Sequence, residues 1–390
     1  MGEVTAIRDT ERGITPLAAT YVVFGWFWGS IAVLLANLQA ANDLSSGRLG
    51  LYLSFTSITG IVTMTVVAPR LEHLARHITI PVSLALHGSG ALLLATLSPT
   101  LLPLAFLMIG LGTGMVDVLV NAVGYEREVR SGRAVLQWVH MSYSIGAGVG
   151  ALATGVILTA GASFRTALIL SFTLQVLVAA VIVTSRSLRS VPARERSETK
   201  VSLTAFRKWP WLLVPALIVG SAFFVEGSMD VWSGVYLRKT LGASVMTAAI
   251  GFAAFAFATS AGRALAAKIL FGFGYRATVI ASGLGAVLAG AVAATAPNTT
   301  VAACAYLVLG FSLSAAAPAA FGSVEGGNAG LAIAAVTTVG YAGFVVGPPF
   351  MGWLADATGS FRITMFVITA ATLGVLIGGL LTRKRREAVL

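Results

Sequence analysis

Charge and cysteine are both scarce in this chain, and only one long stretch is polar. Charged residues make up 11% of its 390 residues, against about 25% in a soluble globular domain. A water-soluble fold is therefore excluded. The single cysteine, Cys304, excludes an internal disulfide and any multi-thiol metal site, and says nothing about compartment. There is no phosphate-cradling loop followed by lysine, no nucleophile elbow and no paired Cys or His metal spacing. Nothing points to an enzyme, a cofactor or a metal.

What is present is apolar sequence. Hydrophobic residues make up 57% of the chain and the mean hydropathy is +0.88. Uncharged runs of the length needed to cross a hydrocarbon core of about 30 Å recur along it. The pattern predicts twelve spans, at 14–40, 47–69, 78–98, 100–125, 134–160, 164–185, 210–237, 244–270, 276–296, 299–321, 328–356 and 361–382. The first run is followed by many others, which argues against a cleaved signal peptide. The formal net charge of +11 is placed asymmetrically: with the N-terminus inside, 21 of the 26 Lys and Arg residues fall on the inner side and 5 on the outer. This is the positive-inside pattern, so a multi-pass inner-membrane protein with both termini cytoplasmic is expected. The charge reads as an orientation signal and a contact for anionic lipid, and not as a nucleic-acid surface.

The long polar stretch, Ser185–Lys208, is rich in Ser and Arg. It predicts a cytoplasmic linker at 186–209 between a half at 1–185 and a half at 210–390. The halves resemble each other. Gly150, Gly155, Phe164 and Arg165 recur 197 positions later as Gly347, Gly352, Phe361 and Arg362, and the same offset aligns Leu44 with Leu241. An offset kept over polar and apolar positions together points to parallel duplication. Connections elsewhere are too short to hold an extramembrane domain.

Three segments carry a resemblance: GMVDVLVNAVGYEREV at Gly114–Val129, GRAVLQWVHMSYSIGAGVGAL at Gly132–Leu152 and VEGSMDVWSGVYLRKTLGAS at Val225–Ser244. Together with the span count, the basic linker and GPPFMGWLAD at Gly347–Asp356, they make the chain resemble the major facilitator superfamily over essentially its whole length. Within that superfamily it is most similar to the fucose–proton symporter branch and its bacterial relatives. The resemblance implies twelve transmembrane helices in two pseudo-symmetric six-helix bundles, with spans 1, 4, 7 and 10 around a central cavity. The family's loop signature between spans 2 and 3 is degenerate here, at Val67–Arg76. In the copy after span 8, Gly262 and Arg263 are kept but Ala266 and Ala267 stand where an acid is usual. Gly150 is followed by Ala151 and not by the proline of the antiporter signature, which counts against drug–proton antiport.

Three acids lie well inside the spans: Asp117, Glu226 and Asp230. Each charge at a helix centre costs about 2.5–3.5 kcal/mol on the insertion scale, so such a group must pair, neutralise or face a wet cavity. A carboxyl held away from water takes up and releases a proton readily near neutral pH. Asp117 and Asn121 are four apart, hence on one helix face, and an amide beside a carboxyl suits a hydroxyl-rich substrate. By resemblance, Asp117 takes the coupling or substrate position and Glu226 lies across the cavity from it. Glu226 and Asp230 are also four apart and resist double ionisation. Asp230 is expected either at the substrate or at an outer gate with Arg48 or Arg238. His140, near the depth of Asn121, is a candidate proton relay or substrate contact, and Trp28 a candidate stacking face. Arg133 and Arg263 are expected at the inner gate, with the charged run Glu126–Arg130.

The reading that follows is a secondary transporter. It is expected to work as a single chain and to move a small polar solute, sugar-like in the leading version, with protons. Efflux of amphipathic drugs or metabolites is the alternative, and a non-transporting sensor or scaffold the remote one.

Overall fold

In a computed structural model, residues 2–71, 74–96, 98–132, 135–189, 205–324 and 329–382 are described, and among them there are helices and no strand. The first six spanning helices are α1 (Gly2–Ala41), α2 (Ser46–Val62, prolonged by a π-helical turn at Thr63–Val67), α3 (Arg76–Ala95), α4 (Leu102–Ser131), α5 (Val135–Thr159) and α6 (Phe164–Val183). Short helical turns at Arg186–Arg189 and Ala205–Lys208 flank the part of the basic linker that lies outside the described residues. Then comes α7 (Leu213–Leu241) and an unbroken-looking helical run, Val245–Thr295, of 51 residues. A straight helix of that length would measure about 76 Å, more than twice a bilayer core. Gly274 breaks it, with φ 73° and ψ 166°, a conformation only glycine adopts freely. The run is thus α8 (245–273) and α9 (275–295). The remaining elements are α10 (Thr299–Leu313), continued by a short helix at Ala316–Gly322, then α11 (Ala329–Thr358) and α12 (Phe361–Leu381). Eleven apolar helices long enough to cross a membrane are therefore twelve spans, as the hydropathy pattern predicts.

The tight connections work because their ends are capped locally. Ser45 accepts from the Arg48 amide at 3.1 Å, Ser244 from the Thr247 amide at 3.1 Å and Asn298 from the Val301 amide at 3.0 Å. Each satisfies a first-turn N–H that would otherwise be orphaned.

The helices form two six-helix bundles with matching internal neighbours. In the first, α1 packs on α5, α2 on α4, and α3 on α4 and α6. In the second, α7 packs on α11, α8 on α10, and α9 on α10 and α12. Across the seam, α2 meets α11 and α5 meets α8, again a symmetric pair. The repeated glycines sit at equivalent contacts. A Cβ on Gly150 would collide with the α1 backbone at Trp26, and one on Gly347 would meet α7 at Phe224 and Ser228. Gly155 and Gly352 instead face the other bundle, at Met246 and Ala249 of α8 and at Ser46 and Gly50 of α2. One pair thus permits close packing within each bundle and the other permits it between bundles, as small residues do at membrane helix contacts. Large apolar side chains such as Leu51, Val181, Leu284 and Phe366 remain exposed along the helices, which suits a surface bathed in lipid.

Candidate functional site

Polar side chains gather at mid-height between the bundles. Asp117 of α4 is the centre of one group. Its Oδ1 accepts from the Tyr21 hydroxyl of α1 at 2.7 Å and from Asn121 Nδ2 at 3.1 Å. Its Oδ2 accepts from the Tyr341 hydroxyl of α11 at 2.6 Å. Asn121 Nδ2 also donates to the Tyr21 oxygen at 3.2 Å, and its Oδ1 lies 3.0 Å from His140 Nε2 of α5. The helical spacing of Asp117 and Asn121 does place them together, and His140 joins them. Tyr341 reaches this carboxylate from the opposite bundle, so Asp117 is a polar tie across the seam.

The second group is centred on Arg263 of α8. Its guanidinium forms an ion pair with Glu226 Oε1 of α7 at 2.5 Å and donates to Ser144 Oγ of α5 at 2.9 Å. The Arg263 carbonyl accepts from Gln137, also on α5. Asp230, one turn from Glu226, is buried, and the Tyr143 hydroxyl of α5 interacts with it. His140 is within electrostatic reach of Asp117, Glu226 and Arg263 together. The two groups are thus one continuous polar layer. Beside Arg263 a small, partly open cavity is lined by Ala222, Phe223, Phe255, Thr259, Leu313 and Pro318, among others.

The other candidate residues have the following surroundings. Beyond Arg263, α8 continues about three turns, to the break at Gly274. Among the described residues no ion pair joins Asp230 to Arg48 or Arg238, and Arg238 donates to Asn37 at 2.5 Å. Trp28 packs edge-on against Phe27, with ring centroids 5.4 Å apart, and lies beside His87. It is not among the residues lining the cavity beside Arg263. Within the Glu126–Arg130 run, Arg130 pairs with Glu126 at 3.8 Å, and Glu128 accepts from the Leu136 amide at 3.0 Å. Arg133 lies outside the described residues.

One further tie spans the seam at the end where α1 turns into α2. Asp356, near the end of α11, accepts from the backbone amides of Ser46 at 2.9 Å and Gly47 at 2.6 Å. These are first-turn N–H groups of α2, so a carboxylate of one bundle caps a helix of the other. Lys239 of α7 donates to Gln39 of α1 at 2.8 Å at the same end. The partners that sequence reasoning missed are Tyr21, Tyr341, Ser144, Gln137 and Asp356. An acid at the end of the Gly347–Asp356 segment was a visible signal for the last. The hydroxyls had none beyond their approximate depth.

A model of the Major Facilitator Superfamily matches residues 17–326. The chain belongs to that superfamily. It is 26% identical over 358 residues to an uncharacterised MFS-type transporter of Yersinia pestis, covering 90% of this chain and 91% of that one. Among solved structures it resembles a bacterial homologue of the human lysosomal transporter Spinster, inward-facing and unoccupied, with TM-score 0.76 at 15% identity, covering 97% of this chain and 99% of that one. It also resembles the fucose:proton symporter of E. coli, with TM-score 0.63 at 16% identity, covering 95% and 98%. At such identities the structures speak to the fold alone. The superfamily membership and the membrane-spanning fold make this chain a multi-pass transporter and not an enzyme.

Proposed function

We propose that this transporter moves a small polar solute across the inner membrane by alternating access, driven by protons. The observation that supports this reading most is Asp117. It is a carboxylate at mid-height that takes hydroxyl donors from both bundles at once, Tyr21 on one side and Tyr341 on the other. Adding a proton to Asp117 removes an acceptor and loosens the tie between α4 and α11. Protonation and rocking of the bundles are then linked.

In this account one coupling proton is exchanged between Asp117 and Glu226, with His140 and Asn121 standing between them. Glu226, which lines the cavity beside Arg263, contacts the solute, and Asn121, Asp230 and His140 reach it from the adjoining polar groups. Arg263 holds Glu226 until the proton arrives. The excess of Lys and Arg on one side orients the chain with both termini in the cytoplasm, and the Asp356 cap becomes a closure on the outer side. The chain works as a monomer. A second reading, export of amphipathic metabolites or drugs, is supported by the largely apolar walls beside Arg263.

Purified protein in proteoliposomes tests the proposal. An imposed gradient of one pH unit supports about tenfold accumulation for one-to-one coupling. A protonophore is expected to collapse that accumulation. A carried solute whose uptake ignores both the gradient and the protonophore would remove proton coupling.

A further inference from the structure

The geometry points to a small organic carboxylate as the solute, held by Arg263 after a proton has released it from Glu226; this names a solute class for the transport proposed above and rests on that reading. Arg263 is the cation of the cavity, and its head is already oriented. Ser144 holds one nitrogen and Glu226 occupies the other. The side chains of Arg263 and Glu226 are only 19% and 23% exposed, and both line the cavity. A ligand entering here must deal with this pair.

The two partners are not equivalent. A cationic ligand would have to share the Glu226 carboxylate with Arg263, whose guanidinium engages Oε1. Arginine does not lose its proton in proteins, so two like charges would then face each other in a largely apolar cavity. An anionic ligand displaces Glu226 instead, and a carboxyl can neutralise itself by taking one proton. The exchange is balanced: one proton adds to a Glu226 oxygen, the Arg263–Glu226 ion pair is replaced by an Arg263–carboxylate pair, and no net charge enters the layer. A planar guanidinium suits a carboxylate fork.

The rest of the lining agrees. The hydroxyls of Thr259 and Ser314 donate to carbonyls of their own helices, at Phe255 and Phe311, at 2.8 and 2.7 Å. They offer acceptors to a ligand, so Arg263 is the cavity's strong donor. A neutral polyol would find few donors for its oxygens, whereas an acid with an apolar or hydroxylated body would be satisfied. The charged and titratable groups around Glu226 are Asp230 on its own helix, Arg263 on α8, His140 and Tyr143 on α5 and Asp117 on α4. None of the others is ion-paired to Arg263 among the described residues.

Thermal stability in detergent, with matched acids and primary amides, tests the inference: lactate and lactamide, butyrate and butyramide, benzoate and benzamide, nicotinate and nicotinamide. At saturating ligand, at least one acid is expected to raise Tm by about 2 °C or more while its amide does not. Apparent affinity for that acid should rise towards about tenfold per unit fall in pH, because a proton enters with the anion. Glu226→Gln should keep the acid preference and flatten the pH dependence. Arg263→Gln should abolish the preference, and Arg263→Lys should weaken it about tenfold, a check should the Gln variant fold poorly. Equal shifts by acid and amide, no shift by any acid, or an acid preference surviving in Arg263→Gln would each overturn the assignment. Acid binding without flux would sink the transport reading and leave this one standing. Proton-driven uptake of a neutral solute, unchanged in Arg263→Lys, would do the reverse.

Discussion

Replacing Asp117 with asparagine is expected to leave a folded transporter that exchanges solute across the membrane but no longer concentrates it. The substitution keeps the side chain's shape and one carbonyl oxygen for the Tyr21 hydroxyl, which sits 2.7 Å from Oδ1. On the Tyr341 side, at 2.6 Å, the phenol can turn to accept from the new amide. The layer therefore remains bonded. What disappears is the carboxylate oxygen to which the proposal assigns the coupling proton. Under a gradient of two pH units, one-to-one coupling supports about 100-fold accumulation in the wild type. The variant is expected to fall to about unity while counterflow of labelled against unlabelled solute persists. Accumulation near the wild-type level would take Asp117 out of the coupling.

The second large effect is a lock. Gly47 of α2 and Asp356 of α11 belong to opposite bundles, and a Cβ placed on Gly47 would lie 3.9 Å from the Asp356 Cβ. Disulfides have a mean Cβ separation of about 3.8 Å. With Cys304 changed to serine, the pair Gly47→Cys and Asp356→Cys is expected to bridge on oxidation. Transport should then fall at least about 20-fold, because rocking about the central layer requires this end to part. Reduction should restore it to the level of the unoxidised double variant. That variant lacks the Asp356 cap, which costs about 1 kcal/mol and biases it toward the state with this end open. Full transport with the bridge formed would mean that this seam does not open during the cycle.

How much of this could be read in advance depended on how far apart in sequence the partners lie. Asp117 and Asn121 are linked by helix geometry alone, since positions four apart share a face. The repeated glycines were equally legible, because duplication preserves both the residue and its contact. Glu226 was visible as a misplaced charge, but its partner was not. Arg263 comes from another helix 37 positions away, and the family pattern pointed to the inner gate and not to Glu226. Tyr21 and Tyr341 come from 96 and 224 positions away, and a tyrosine in an apolar helix is as much at home in a core as at a site. Trp232 and Tyr236 illustrate the other outcome. They lie close to the candidate acids Glu226 and Asp230 in sequence, yet both are fully buried and bond to the carbonyls of Pro348 and Ala293 at 2.8 Å. Asp356 stood out as an acid, but its partners did not, because it satisfies backbone amides, which no residue pattern marks.

Alternating access to one central layer is the core of this account, and one labelling experiment reaches it directly. Thr259→Cys places a thiol in the wall of the cavity, in a chain that lacks Cys304 and carries the 47–356 cysteine pair. A membrane-impermeant thiol reagent is added to one face at a time in vesicles of known orientation. In the same chain without the pair, the thiol should react from both faces as the protein cycles. With the bridge closed, it should react only from the face opposite the bridge. Labelling from both faces while the bridge is closed, or from one face only in the freely cycling protein, would contradict alternating access.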